Sequence, residues 1–344
     1  MMKAGAAQRS AAGLLALLTL AVLGLAVLTL AGLGCGTGQP PAEASNPLHG
    51  LRFYVDPTSA AANQIRLWER AGRAADATAL RRIAEAPIAL WVTGDPVAVE
   101  HQVRDRMAAA AEQQTTPIFV AYNIPGRDCG RYSAGGAPDA ATYRIWMASL
   151  ARGLGEGRAV VILEPDAVSH MIAGDCLSGA QAQERDALLR EAIRTLRAKP
   201  HTTVYLDAGN PSWITDTTAL ADALRRAGGR EATGFALNVA NFNTTDATVA
   251  YGRAVASALG GARFVIDTSR NGAGRYPDPQ VNGAPSWCNP PGRALGQPPS
   301  TQTGLRDVDA FLWIKGPGDS DGSCRPGEPA AGHWWPDYAL GLAR

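Results

Sequence analysis

The sequence predicts an α/β protein on a parallel sheet, either closed as a barrel or open and doubly wound. Three observations carry this. Short apolar runs rich in β-branched residues alternate with helical stretches for about seven or eight rounds. Several runs stop abruptly at an acid or amide, as Val160-Val161-Ile162-Leu163 stops at Glu164-Pro165-Asp166, and proline cannot continue a central strand. No glycine-rich dinucleotide fingerprint and no P-loop interrupts the alternation.

In order along the chain, residues 53–57 (Phe-Tyr-Val-Asp-Pro) read as a first short strand and residues 60–84 as helical. Residues 88–92 are the next strand and 97–114 a helix. Residues 117–123 form a strand, 124–138 a loop, 139–154 a helix and 159–163 a strand buried on both faces. The pattern continues with a helix over 181–198, a strand over 203–209, a helix over 217–227 and a strand over 234–241. A helix over 247–259, a strand over 263–269, a Gly/Pro-rich loop over 271–304 and a last strand over 311–315 complete it.

The chain has 344 residues and a formal net charge of +1. One barrel commonly reaches this size, and the absence of a long basic run argues against nucleic acid as a partner. The five cysteines form no CxxC and the five histidines no HExxH, so no motif supports zinc. We expect no metal and no cofactor.

Lys3 and Arg9 precede an uncharged apolar stretch, Ala11–Gly34, with Cys35 directly after it. Residues 1–35 therefore read as an export signal, a lipoprotein leader lipidated at Cys35 or a membrane anchor. Each option places the rest of the chain outside the cytoplasm, secreted or on the cell surface. Residues 36–48 read as a linker and 49–344 as the folded domain, touching a membrane only through the N-terminal segment. Four cysteines remain in an oxidising compartment, which suggests two disulfides. Sequence alone allows three connectivities; we expect Cys129–Cys176 and Cys288–Cys324, each joining loops that follow different strands.

Polar groups cluster just after strands: Asn123, Asp128, Asp166, Asp207, Asn241, Asp267 and Lys315. In a barrel these positions ring one mouth, where barrel enzymes do their chemistry. A ring of aspartates suits glycoside hydrolysis by paired carboxylates, or binding of Mg²⁺ or Ca²⁺. The eight tryptophans favour the first. Flat sugar faces stack on indole, and Trp91, Trp213, Trp287 and Trp313 lie in or near strand ends, whereas Trp68 and Trp146 fall in helices.

Several separated motifs then resemble glycoside hydrolase family 6, the inverting β-1,4-glucanases that include endoglucanases and cellobiohydrolases. They are Phe53-Tyr54-Val55-Asp56-Pro57, Arg127-Asp128-Cys129-Gly130, Leu163-Glu164-Pro165-Asp166-Ala167, Asp207-Ala208-Gly209, Ala236-Leu237-Asn238-Val239, Asp267-Thr268-Ser269-Arg270-Asn271-Gly272, Trp287-Cys288-Asn289-Pro290-Pro291-Gly292-Arg293 and Phe311-Leu312-Trp313-Ile314-Lys315. Together they run through residues 51–340. The resemblance implies a distorted, incompletely closed (β/α) barrel of about seven strands with the cleft across its mouth. It implies Asp166 as general acid, Asp128 as the group raising its pKa, and Asp321 as the base acting through water. Tyr122 matches a tyrosine against the distorted sugar. Lys315 and Asp319 match sugar-binding positions, and Trp91, Trp213 and Trp287 match stacking platforms. The resemblance pairs the cysteines as above.

We place Asp207, Asn210 and Asn241 among the substrate-binding positions, and Asp267 with Arg270 as an ion pair shaping the mouth. Glu164 reads as a buried, paired structural group, His170 as a satisfied loop histidine and Trp313 as core. Departures from the family pattern fall at Asn210 (usually His), Asp319 (usually Glu), Ala240 and Phe242. The expectation is a monomeric, exported, inverting hydrolase of β-1,4-glucan, with an open endo-acting cleft. The alternatives are an exo-acting cellobiohydrolase, a catalytically weak glucan-binding envelope protein and a metal-dependent hydrolase built on the aspartate ring.

Overall fold

A computed structural model describes residues 46–174 and 176–344. The readings for residues 1–35, for Cys35 and for linker residues 36–45 lie outside the described residues. No helix of the described residues is long and apolar enough to cross a membrane. The folded body takes in Asn46, whose Nδ2 donates to the Asp309 carbonyl at 2.8 Å, and Leu48, which is fully buried.

The strands are β1 (Leu90–Val92), β2 (Ile118–Ala121), β3 (Ala159–Leu163), β4 (Thr202–Asp207), β5 (Gly234–Leu237), β6 (Phe264–Asp267), β7 (Gln280–Val281), β8 (Ala284–Pro285) and β9 (Val308–Leu312). The helices are α1 (Ala60–Arg70), α2 (Ala74–Ala84), α3 (Pro96–Glu112), α4 (Ala140–Leu154), α5 (Ala167–Ala173), α6 (Gly179–Arg197), α7 (Thr217–Arg226), α8 (Thr245–Leu259) and α9 (Pro336–Ala343). Seven strands form one parallel sheet in the order β1-β2-β3-β4-β5-β6-β9, which repeats their order in the chain. β7 and β8 make a separate hairpin.

Both faces of this sheet are apolar, as a parallel sheet demands. Residues one apart point to opposite sides. Val120, Ile162, Tyr205, Ala236, Val265 and Leu312 face inward and pack on one another. Phe119, Val161, Val204, Phe235 and Ile266 face outward against helix residues such as Val103, Trp146, Leu189 and Leu224. The connecting helices start on side-chain caps that satisfy otherwise orphaned N–H groups. Asp95 caps α3, Asp139 caps α4 and Asp216 caps α7, while Ser178 and Gln181 form a reciprocal capping box on α6.

The two sheet edges meet without a full ladder. Ile88 bridges Trp313, Ala89 N–H donates to the Trp313 carbonyl at 3.0 Å, and Trp91 Nε1 donates to the Ile314 carbonyl at 2.8 Å. The result is a distorted, incompletely closed barrel of seven strands.

Local departures from the sequence reading have physical causes. Residues 53–57 give a single bridge, Phe53 to Thr116, because Asp56 turns the chain by accepting from Thr58 N–H at 2.8 Å. Residues 60–84 break into α1 and α2 at Gly72, whose φ is +74°, a conformation glycine adopts without steric cost. The last strand begins at Val308 rather than Phe311. Its buried Asp309 lies outside the strand read from the sequence, yet it accepts from the Tyr205 hydroxyl at 2.8 Å and pairs with Arg263. The short helices α5 and α9 carry too few turns to show a period.

Candidate active site

The strand-end residues converge on the mouth formed by the C-terminal ends of β2, β3, β4, β5, β6 and β9. Many turn there through left-handed backbone: Asp128 (φ +54°), Cys129 (+51°), Glu164 (+47°), Asp166 (+69°), Asn238 (+64°), Ala240 (+54°) and Asn289 (+44°). Each such non-glycine position carries a strain of order 1–3 kcal/mol that surrounding bonds must hold.

Glu164 supplies part of that hold. Fully buried, it accepts from Asn123 N–H, Ile124 N–H and the Tyr143 hydroxyl, each at 3.0 Å. Burial pushes its carboxyl up to about 7 despite those donors. It is a staple between β3 and the loop after β2. From α6, buried Arg185 braces the same loop, donating to the Pro125 and Gly126 carbonyls at 2.9 and 3.1 Å.

Asp166 sits at the N-terminus of α5 but makes no capping bond with its side chain. Its backbone N–H donates to Asp207 Oδ2 at 2.9 Å. Burial, then the charge of Asp207, then that of Asp128 push the Asp166 carboxyl up to about 7, with His170 and Arg131 pulling the other way. Asp207 also accepts from Gly209 N–H at 3.1 Å, and its Oδ1 is buried with no hydrogen-bond partner. Burial raises it likewise. Two close buried carboxylates with no cation between them favour holding a proton.

Asp128 lies beside this pair. Its Oδ2 accepts from Ser133 N–H at 2.7 Å, and His170 Nε2 stands 3.9 Å from its Oδ1. Burial pushes Asp128 up, but His170 and Ser133 outweigh it, and the carboxyl ends below its ordinary value. Asp207 therefore outranks Asp128 as the like charge acting on Asp166. Tyr122 is buried beneath, its ring edge-on to Trp91 at 5.0 Å and under the Arg127 guanidinium at 4.6 Å. Burial, Asp166 and Asp128 hold its hydroxyl protonated.

Asp321 is built the opposite way. Its Oδ2 accepts from Arg270 Nη1 at 2.9 Å and Asn289 N–H at 3.0 Å, and Lys315 Nζ stands 3.5 Å from Oδ1. Burial pushes this carboxyl up, but Arg270 and Lys315 outweigh it, so it lies below the usual range and stays ionised. Asn289 Oδ1 accepts from Asp321 N–H at 2.8 Å, closing a reciprocal pair. Asp319 is raised to about 6 by burial, against Lys315 and Arg270.

Sequence proximity pairs Asp267 with Arg270; the structure pairs Arg270 with Asp321 instead. Asp267 is fully buried and accepts from the N–H groups of Ser269, Ala240, Ile314 and Lys315 at 3.0–3.3 Å. It ties the ends of β5, β6 and β9 together, as Glu164 ties β2 and β3. Arg270 also donates to the Ala240 carbonyl at 2.7 Å and lies over Phe242.

The tryptophans divide as follows. Trp91 is half-buried with Lys315 5.9 Å above its ring, Trp213 meets His170 edge-on at 4.9 Å, and Trp287 is exposed. Trp313 is core, its Nε1 donating to the Gln297 carbonyl. Asn210 is buried in an amide network, accepting from Ser212 N–H and Asn243 Nδ2 at 3.1 Å. Asn241 is half-buried and accepts from the same Asn243 Nδ2 at 3.2 Å. The disulfides Cys129–Cys176 and Cys288–Cys324 pin the loops that carry Asp128 and Asp321. Sequence reasoning missed Ser133, Arg185, Asn289 and Tyr132. Arg185 left a signal, a charge on the apolar stripe it shares with Leu188 and Leu189, and Asn289 lies inside the Trp287–Arg293 motif.

An aspartic acid kept protonated and an aspartate kept ionised, at one mouth flanked by indole rings, is the equipment of a glycoside hydrolase. The family described as "Glycosyl hydrolases family 6" matches residues 48–344. Endoglucanase A of Cellulomonas fimi is 42% identical over 294 residues, 85% of this chain and 61% of that protein. This chain thus spans about three-fifths of that relative's length. Endoglucanase 1 of Streptomyces halstedii is 42% identical over 311 residues, 87% of this chain and 91% of that protein. The solved endoglucanase Cel6 of Mycobacterium tuberculosis, bound to a methyl-cellobiosyl thio-cellobioside, superposes with a TM-score of 0.79 at 44% identity, covering 87% of this chain and 98% of that one. The chain belongs to glycosyl hydrolase family 6.

Proposed function

We propose that the protein is an exported hydrolase of β-1,4-glucan, cutting within the chain and inverting the anomeric centre. The observation that carries this is the opposed protonation of two carboxyls at one mouth. Burial and Asp207 keep Asp166 protonated up to about pH 7, while Arg270 and Lys315 keep Asp321 ionised. Asp166 gives its proton to the glycosidic oxygen as the C1–O bond breaks. A water adds its oxygen to C1 from the opposite face, and its proton passes to Asp321 directly or through a second water. Inversion requires the two carboxyls to lie roughly 6.5–9.5 Å apart, leaving room for that water. Trp91, Trp213 and Trp287 stack the sugar rings, and Tyr122 underlies the sugar at the cleavage point. Lys315 and Asp319 hydrogen-bond the chain beside it.

The bacterial relatives named endoglucanases, at 42% identity, support cutting within the chain. One feature favours action from chain ends. Tyr132, after β2, meets Trp287, after β6, at 5.8 Å, which brings two mouth loops together. Viscosity and reducing ends measured on soluble carboxymethyl-cellulose separate the two, and proton NMR of the first product reports the anomer. A steep viscosity fall with α-product is expected. β-Product would overturn inversion, and slow viscosity loss would overturn endo action.

A further inference from the structure

No metal motif exists in the sequence, yet the fold assembles a mixed donor set from separated segments. Asp166 is the residue just before α5, and His170 lies four residues on, inside the helix. Asp128 arrives from the loop after β2, held by its bond from Ser133. Donor atoms of all three lie within 4.8 Å of one another. We propose that Asp128, Asp166 and His170 form a zinc site whose occupation reversibly shuts off hydrolysis; this rests on Asp166 being the acid.

One imidazole nitrogen and two carboxylate oxygens are ligand types zinc takes, and three protein ligands leave its fourth position for a water. Mg²⁺ and Ca²⁺ ask for six or more oxygens and are poorly served by this set. Tetrahedral zinc at about 2.0–2.1 Å needs donors roughly 3.3 Å apart. His170 Nε2 and Asp128 Oδ1 stand at 3.9 Å, so that pair must close by about 0.6 Å to share an ion. The Trp213 edge against the imidazole limits where His170 can go, so adjustment falls to the Asp128 and Asp166 side chains, neither of them fully enclosed by residue exposure. The two cysteine-containing clusters of the described residues are closed by disulfides, which removes thiolates as competing ligands. An Asp166 oxygen bound to zinc cannot carry the proton for the leaving group. The effect is opposite in sign to that in a metallohydrolase, because here the metal inhibits and a chelator restores.

The test is calorimetric titration of ZnCl₂ into chelator-stripped, dialysed protein with both disulfides formed, with MgCl₂ as control. One zinc site is expected in the parent, weakened at least about tenfold in His170→Asn and in Asp128→Asn, with no magnesium site. Thermal melts confirm that the variants fold. If neither folds, Co²⁺ added to the parent decides, through the strong visible bands of a tetrahedral N/O site. Glucan hydrolysis by the parent should fall over the same zinc range and return with EDTA. Absence of zinc binding or of the cobalt bands, or full retention in both variants, overturns the site. Zinc binding that leaves hydrolysis untouched overturns the inhibition. Zinc binding lost in the variants of a protein that hydrolyses no glucan would keep the site and remove the functional reading, so the two failures are distinguishable.

Discussion

The Asp166 side and the Asp321 side of the mouth, the proposed acid and base, are made from the same residue type and differ in what surrounds it. Around Asp166 burial is the largest push, and the charge of Asp207 and then of Asp128 adds to it against the pull of His170 and Arg131. Around Asp321 they are mainly cations, Arg270 and Lys315, and their attraction outweighs burial. Burial pushes both carboxyls up; the supply of counter-charge decides whether that push prevails, as it does at Asp166, or is overcome, as at Asp321. Asp267 and Glu164 form a third case, buried acids satisfied by backbone N–H groups and used as staples.

The largest expected effect comes from removing Asp166, the proposed proton donor. Asp166→Asn should lower kcat by about 10³–10⁴-fold while the thermal midpoint barely moves, read from reducing ends on soluble glucan. Wild-type-like activity would break the division of labour between the two sides. Next is Arg270→Met, which strips the base side of its buried cation. Leaving Asp321 so exposed to burial should cost about 3–5 kcal/mol of stability in urea unfolding. A depressed folded pKa gives stability that is present above the unfolded pKa and lost as pH falls through the folded one. Wild type therefore loses the Asp321 contribution only in acid, and the variant should lack it at neutral pH. The smallest effect sharpens the acid side. Asp207→Asn keeps an oxygen for the Asp166 and Gly209 N–H groups but removes the like charge. The Asp166 pKa should drop, and the alkaline limb of kcat, near pH 7 in the parent, should move down by about one unit. An unmoved limb would return the main role to Asp128.

The barrel was legible because each core strand is an apolar run ended by a polar residue. Where a strand carries a charge, as β9 does at Asp309, the signal fails, since the pairing of Asp309 with Arg263 and Tyr205 bridges 46 and 104 residues. The site was legible as residue types at strand ends, but its wiring was not. Arg270 is three residues from Asp267 and 51 from Asp321, yet it pairs with Asp321. Burial and long-range pairing, which fix protonation, have no local sequence signature.

Because the sheet's spatial order repeats the chain order, a growing chain finds each new strand's partner edge already made. Asp166 and its neighbours Asp128, His170 and Asp207 are complete once β4 is in place, whereas Asp321 arrives only after the final strand. Assembly is thus directional, and the mouth acquires Asp166 before Asp321. In alkylation trapping during synthesis, Cys129 and Cys176 should become protected while Cys288 and Cys324 still react. Simultaneous protection would mean that the barrel closes in one concerted event.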